Sequence, residues 1–137
     1  MITALQKWVV PVLRAEGFQG TFPDFRRLTQ REVHLLSFQF NKWGGSFVVE
    51  VASCPAEGIT THWGEHIPGT AAKATNVHPS LRLRLASSGE QQDYWFRSDG
   101  RFRWNPYEKA AKAVLPYLKT QAEAWWARPL REFKPHP

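Results

Sequence analysis

Arginine, tryptophan, glutamine and glutamate stand among apolar residues in four segments, and in two of these segments they recur at two-residue spacing. Side chains two residues apart share one face of a β-strand, so these polar groups are predicted to share one face of a sheet. Guanidinium groups bind carboxylate or phosphate, and an indole ring adds an apolar platform. We therefore predict that this face binds an acidic protein or an anionic ligand through six side chains: Gln39, Glu50, Arg82, Arg84, Trp95 and Arg97.

The predicted face also has a plainer interpretation. Only two helices are expected in the chain, too few to cover both sides of a sheet, so we expect this face to be open. In the plainer interpretation it is solvated without a ligand, and Glu50 pairs with an arginine across neighbouring strands.

The basic character of the chain leaves single-stranded nucleic acid as a second candidate ligand. The formal net charge is +6 and the isoelectric point is near 9.8, which favours acidic partners. Basic side chains interleaved with aromatic rings suit single-strand binding, and the chain offers Arg97, Arg101, Phe102, Arg103 and Trp104. No RNP, KH or helix-turn-helix pattern is present. Nucleic acid therefore ranks below an acidic protein or anionic ligand.

Three histidines in the long segment 55–80 are weak candidates for a metal site. His62 and His66 are four residues apart, a spacing that suits one face of a helix, and His78 follows. Gly64 between the first two argues against a helix, and the HExxH order is absent. A small metal-dependent hydrolase is a third hypothesis, and we predict no metal or other cofactor.

The sequence gives little support for catalysis. Cys54, the only cysteine, precedes Pro55 at a strand end, with no neighbouring lysine or helix start to lower the pKa of its thiol. We expect a small buried thiol. A G-x-S-x-G elbow, a P-loop and a G-x-G-x-x-G motif are all absent. We therefore expect a binding domain rather than an enzyme.

The segment from Arg31 to Ser53 must position the predicted face. His34, Leu36, Phe38 and Phe40 alternate on one strand, and Phe47, Val49 and Val51 alternate on the return. Turn residues, including two glycines at 44 and 45, separate the two runs. Because this hairpin is so apolar, other elements must cover one of its faces.

Amphipathic helices bracket the strands. They are predicted over residues 3–16 and from Asn105 to about Ala127, and Pro11 and Pro116 interrupt them. Strands are predicted at Asp24–Leu28, in the hairpin, at Leu81–Leu85 and at Asp93–Arg97, the last two forming a second hairpin. The pattern indicates an α+β fold, a meandering antiparallel sheet of about five strands with an N-terminal and a C-terminal helix on one face.

Tryptophans near the end of the last helix suggest a protein-binding patch. Trp125 continues the apolar stripe and is predicted to lie in the core. Trp126 lies about 100° further round the helix. On the surface it would form an apolar patch with Trp8 and Trp43, and the alternative is that all of these rings pack under the helices and the hairpin turn.

Composition bounds the class of protein. A chain of 137 residues predicts one domain, assigned to residues 1–127, with a proline-rich tail at 128–137. The single cysteine fits a reducing compartment. No signal peptide and no membrane-spanning run is recognised. We therefore expect a cytoplasmic protein with no membrane partner.

The stretch from Val10 to Val51 resembles the bacterial family called domain of unknown function 4304. The matching features are a helix ending Pro11-Val12-Leu13 before Gly17-Phe18, then Phe25-Arg26, Phe38-Gln39, Lys42-Trp43-Gly44 and Phe47. The resemblance implies an α+β domain. It carries no catalytic residues and no activity to this chain.

Overall fold

A six-stranded antiparallel sheet forms the frame of the molecule, with the predicted hairpin at its centre. The structure is a computed structural model that describes residues 2–42, 46–61, 63–85, 96–97 and 106–130, with backbone alone at Arg97 and Pro106. The strands are β1 Gln19–Thr21, β2 Asp24–Leu28, β3 Glu32–Phe40, β4 Ser46–Pro55, β5 Ile59–Thr60, β6 His66–Ile67, β7 Leu83–Arg84 and β8 Phe96–Arg97. The sheet order is β1-β2-β3-β4-β7, β8 also pairs with β4, and β5 and β6 form a separate small sheet.

In the central hairpin, formed by β3 and β4, apolar residues stand at both odd and even positions. Its strands pair from Glu32 opposite Pro55 to Phe40 opposite Phe47. Leu36 and Val49 point to one face, Leu35 and Ala52 to the other, and all four are inaccessible to solvent. Both faces of the hairpin are therefore covered along much of its length.

Prolines interrupt both helical segments as the sequence predicts. The first segment is α1 Ile2–Trp8 and α2 Val10–Ala15, which restarts with Pro11 in its first turn. The second is α3 Pro106–Lys112, α4 Leu115–Tyr117, a π-helical stretch Leu118–Ala122 and α5 Glu123–Trp126. In the part of the chain that the structure describes, no helix is long and apolar enough to cross a membrane.

Both helical segments pack on the same face of the sheet, which confirms the predicted α+β arrangement. Leu5, Val9 and Leu13 from the first segment, and Val114, Leu118 and Ala122 from the second, meet the sheet residues Phe25, Leu36, Phe38, Phe47, Val49 and Val51 in one core. Phe40, predicted in this core, is 38% exposed at the end of β3. The helices thus supply the cover that the hairpin requires.

The inward residue at the end of the last helix is Trp126, so the prediction that Trp125 lies in the core and the hypothesis that Trp126 joins a surface patch were wrong. Trp126 is 2% exposed, and Trp125 is only partly buried. The buried positions Val114, Leu118, Ala122 and Trp126 recur every four residues. A four-residue repeat drifts round an α-helix of 3.6 residues per turn, and the wider π-helical turn absorbs that drift.

The proposed tryptophan patch is not formed as predicted. Trp126 is buried, Trp43 lies outside the described residues, and Trp8 is partly buried with the Lys112 Nζ 4.0 Å from its ring centre. The Lys7 Nζ is 5.2 Å from the same ring. Cation–π contacts therefore cover Trp8 in part.

The second face of the sheet is not open as predicted: the segment 55–80 covers part of it, and Ser37, Val48 and Glu50 in the remaining part are 2%, 0% and 3% exposed. Three short 3-10 turns at Gly69–Ala71, Ala74–Asn76 and Pro79–Leu81 lie there. Ala72, Ala74 and Val77 pack on Val33, Leu35, Ala52 and Cys54 in a second, smaller core. The polar residues of the predicted site lie beside this second core on the same face.

Strands β7 and β8 pair differently from the second hairpin predicted for them. β7 pairs with Glu50 and Val51, and β8 pairs with Ser46 and Phe47, so both extend the same edge of β4. The predicted strand from Leu81 is shorter, because Pro79–Leu81 forms a 3-10 turn. Residues 86–95, which contain most of the predicted partner strand, lie outside the described residues.

Candidate functional site

Glu50 is the centre of the site predicted from the sequence. It lies in β4, opposite Ser37 of β3 on one side and Arg84 of β7 on the other. Its Oε1 accepts a hydrogen bond from the Arg84 Nε at 3.0 Å, and its Oε2 accepts one from the Arg82 Nη1 at 3.1 Å. The Glu50 side chain is 5% exposed. Two arginines thus hold one buried carboxylate, as the plainer interpretation of a cross-strand pair anticipated.

Arg82 also fixes the segment 55–80, which we call the covering segment, to the sheet. Its Nε donates to the Val77 carbonyl at 2.7 Å, and its Nη2 donates to the Thr75 carbonyl at 2.8 Å. Since its third hydrogen bond goes to Glu50, each guanidinium nitrogen has an acceptor. Arg82 is therefore oriented by the fold, with 18% of its side chain exposed.

A surplus of positive charge surrounds Glu50. We call the polar half-face the set of side chains that β2, β3, β4 and the segment before β7 bring to this side of the sheet: Asp24, Arg26, Ser37, Gln39, Glu50, Arg82 and Arg84. Three arginines stand there against two carboxylates. The Lys73 Nζ adds a further cation 3.8 Å from the Asp24 Oδ2. Among the side chains that the structure describes here, positive charges outnumber negative ones, and clustered positive charge attracts anions.

Gln39 brings an unused donor to the polar half-face. It lies two residues beyond Ser37 in β3, opposite Val48 of β4. Its Nε2 is buried and makes no hydrogen bond within the described ranges. A buried amide nitrogen without an acceptor destabilises the fold by about 1–3 kcal/mol. An acceptor oxygen on a ligand would remove that cost.

The structure brings together four of the six predicted ligand-binding residues. Gln39, Glu50, Arg82 and Arg84 share the polar half-face, although Glu50 is buried where an exposed side chain was predicted. Trp95 and the side chain of Arg97 lie outside the described residues. So does the basic and aromatic stretch 101–104 that was considered for nucleic acid.

The histidine candidates are engaged in local hydrogen bonds. The His66 Nε2 lies 3.0 Å from the Glu57 carbonyl, and its Nδ1 lies 3.3 Å from the Thr60 hydroxyl. The His78 Nδ1 lies 2.7 Å from the Ser80 hydroxyl, and His62 lies outside the described residues. Across residues 2–42, 46–61, 63–85, 96–97 and 106–130, no three histidine, cysteine or acidic residues form a group that could hold a metal ion.

Cys54 is the buried thiol that the sequence predicts. It is 2% exposed in the second, smaller core. Burial, together with the smaller effect of the charges of Glu57 and Glu32, raises the pKa of the thiol from 9.0 to about 11. A thiol in this state is a poor nucleophile near neutral pH.

We expect Cys54 to resist alkylation in the folded protein. At a pH of about 8, the higher pKa leaves about a hundredfold less thiolate than in the unfolded chain. Between pH 9.0 and about 11 the folded thiol keeps a proton that the unfolded thiol loses. Its contribution to stability is therefore complete below pH 9.0 and is lost as the pH rises to about 11. Iodoacetamide labelling followed by mass spectrometry, with and without urea, measures the difference, and equal rates would contradict it.

A second charged cluster, on the helical face, was not predicted as a site. Both nitrogens at the tip of the Arg27 guanidinium contact the two carboxylate oxygens of Glu123 at 3.1 Å. The Arg27 Nε and Nη2 also lie 3.1 and 2.9 Å from the His34 Nδ1. The His34 Nε2 lies 2.8 Å from the Glu32 Oε1. The chain Glu32–His34–Arg27–Glu123 thus links β2 and β3 to the last helix.

Aromatic rings enclose this second cluster. The Arg27 guanidinium carbon lies 4.8 Å from the centre of the Phe18 ring and 5.1 Å from that of the Trp126 ring. The His34 ring stacks on Trp126 with 5.7 Å between centres. Because the His34 Nδ1 accepts from Arg27, its proton is on Nε2, and neither nitrogen is available as a base. The cluster joins the helix to the sheet, and it does not offer an acid–base catalyst.

The sequence contains one signal for this second cluster. Arg27 shares a strand face with Phe25, and His34 shares one with Leu36. A charged residue in register with core residues on two neighbouring strands indicates a buried pair. Glu123 and Trp126 lie about ninety positions further along the chain, and their contribution depends on tertiary packing.

Comparison with known proteins identifies a family and no function. The model of the family described as domain of unknown function 4304 matches residues 9–128. The match includes the resemblance noted from Val10 to Val51 and extends it over the rest of the sheet and the last helix. No match was found among the curated proteins or among the solved structures.

Proposed function

The chain belongs to the family of domain of unknown function 4304, and from this premise we propose that it is a binding domain rather than an enzyme. Its ligand is an acidic segment of a protein or another anion, and the polar half-face is where that ligand binds. The buried and unsatisfied Nε2 of Gln39, on the same face of the sheet as Arg82 and Arg84, carries the proposal. That amide nitrogen lacks an acceptor, and the neighbouring guanidinium groups favour an acceptor with negative charge.

The arrangement around Glu50 supports binding without large rearrangement. Arg82 is held by Glu50 and by two carbonyls of the covering segment. Arg84 donates through its Nε to Glu50 and is 28% exposed. Guanidinium groups already held in place lose little side-chain freedom when a ligand binds.

Gln39→Leu tests this proposal, because it separates binding from stability. The probes are a short oligoglutamate peptide and inorganic phosphate, titrated into labelled protein and followed by NMR chemical shifts. Replacing the amide removes a hydrogen bond to a charged ligand, which is worth about 1.5–3 kcal/mol, so we expect affinity to fall about tenfold or more. The melting temperature should hold or rise, since an unsatisfied buried donor is removed.

Two controls decide the outcome of this experiment. Lys119→Gln removes one positive charge from the exposed side of the last helix, and it should leave affinity nearly unchanged. Arg84→Gln should weaken binding at the polar half-face. Equal affinity in the wild type, Gln39→Leu and Arg84→Gln would show that net charge alone attracts the probes. Binding of a single-stranded oligonucleotide in preference to the peptide, with steep salt dependence, would favour nucleic acid instead.

A further inference from the structure

A small pocket lies beside β4, where the end of the last helix meets the 3-10 turn Pro79–Leu81. It has a volume of about 50 Å³, and its walls include Ser53, Leu81, Trp125, Arg128, Pro129 and Leu130. Ser53 is in β4, Leu81 ends a 3-10 turn, and the other four residues come from the end of the last helix and the segment after it. The pocket is therefore formed only when the last helix docks beside β4.

Arg128 brings a cation to this pocket, and no carboxylate of the described residues pairs with it. Its guanidinium carbon lies 4.1 Å from the centre of the Trp125 ring. Within the described part of the chain, its side chain makes no hydrogen bond and no ion pair. Glu123, the acidic residue of the same helix, has both carboxylate oxygens on Arg27. Stacking on an indole ring orients a guanidinium and leaves its edge available to a planar anion.

Ser53 supplies a second unsatisfied polar group in the same pocket. Its hydroxyl oxygen is buried and has no hydrogen-bond partner among the residues that the structure describes. A serine hydroxyl moves between three staggered positions by rotation about χ1, and it can donate to an acceptor in any of them. An acceptor atom in the pocket would therefore satisfy it.

We propose that this pocket binds the carboxylate of a small aliphatic acid. Arg128 takes the two carboxylate oxygens through paired hydrogen bonds, and the Ser53 hydroxyl donates to one of them. The short alkyl group lies against Leu81, Pro129 and Leu130. One water needs about 10–15 Å³ of such space, so the pocket has room for a carboxylate and a few carbons and excludes a drug-sized ligand.

Sodium butyrate is the probe that tests this site. Its neutral isostere butyramide and inorganic phosphate are compared with it by NMR titration of the Trp125 indole N–H, assigned from the peak lost in Trp125→Phe. We expect saturable butyrate shifts in the low millimolar range, with butyramide and phosphate at least about tenfold weaker, because only butyrate satisfies both the cation and the apolar wall.

Substitutions inside and outside the pocket test whether butyrate binds there. Arg128→Gln should weaken butyrate about tenfold or more, Arg128→Lys should weaken it less, and Ser53→Ala should weaken it several-fold. Lys119→Gln, which removes the same charge two turns away on the helix, should leave the affinity unchanged. Arg84→Gln should also leave it unchanged, which separates this site from the proposed site on the polar half-face.

Three results would overturn the proposal. They are an absence of saturable butyrate shifts, equal affinity for butyrate and butyramide, and undiminished butyrate binding by Arg128→Gln. A dispersed NMR spectrum of each variant shows that it is folded. Since Arg128 is only partly buried at the end of the last helix, its replacement leaves the two cores intact.

Discussion

Glu50→Ala is expected to lower the free energy of unfolding by about 3–5 kcal/mol, because it leaves two partly buried guanidinium groups without their carboxylate. Arg82 and Arg84 are 18% and 28% exposed, so water screens their mutual repulsion only in part. For a chain of this length the melting temperature should fall by about 10–20 °C. Thermal and urea unfolding, followed by circular dichroism, measure the change.

Matched variants show whether charge is the cause. Glu123→Ala makes the same truncation at a carboxylate that is 41% exposed, and its effect should be clearly smaller than that of Glu50→Ala. Replacing Glu50, Arg82 and Arg84 together by apolar residues of similar volume should restore much of the stability. A loss in Glu50→Ala no larger than in Glu123→Ala would contradict the role given to the buried carboxylate.

Trp126→Ala should destabilise the protein by a similar amount, about 3–5 kcal/mol, the usual loss for a large aromatic side chain in a core. The Trp126 ring packs on Phe18, with 5.0 Å between ring centres, and on His34. Its Nε1 donates to the carbonyls of Ala52 at 3.1 Å and Leu35 at 3.3 Å. Truncation would leave a cavity between the last helix and the centre of the sheet. Urea unfolding measures the loss.

Two comparisons make the Trp126 prediction specific. Trp125→Ala, one residue earlier and only partly buried, should have a much smaller effect on stability. Trp126→Phe keeps most of the ring but loses the indole N–H, and it should fall between the two because the hydrogen bonds to both carbonyls are lost. If Trp125→Ala proved the more damaging, the π-helical phase of the last helix would be wrong.

Much of the candidate site follows from local patterns. The two-residue alternation places Gln39, Glu50 and Arg84 on one face of the sheet, because strand geometry fixes which side chains share a face. Alternation does not show what lies above that face. The burial of Glu50 depends on Arg82, which also binds the covering segment. No periodic pattern in that segment predicts its contact with Arg82. The pocket around Ser53 was missed for the same reason, since its walls come from three separated parts of the chain.

The sequence by itself determined the local elements of this protein: the central hairpin from its two-residue period, the breaks in both helical segments from Pro11 and Pro116, and the buried thiol of Cys54 from its apolar strand. Tertiary structure alone decided that Trp126 rather than Trp125 faces inward and that the segment 55–80 packs on the second face. The physical reason is the separation along the chain over which each effect acts. Backbone geometry and side-chain period act over a few residues, whereas burial depends on which surfaces meet, as when the Trp126 indole binds the carbonyl of Leu35, 91 positions away.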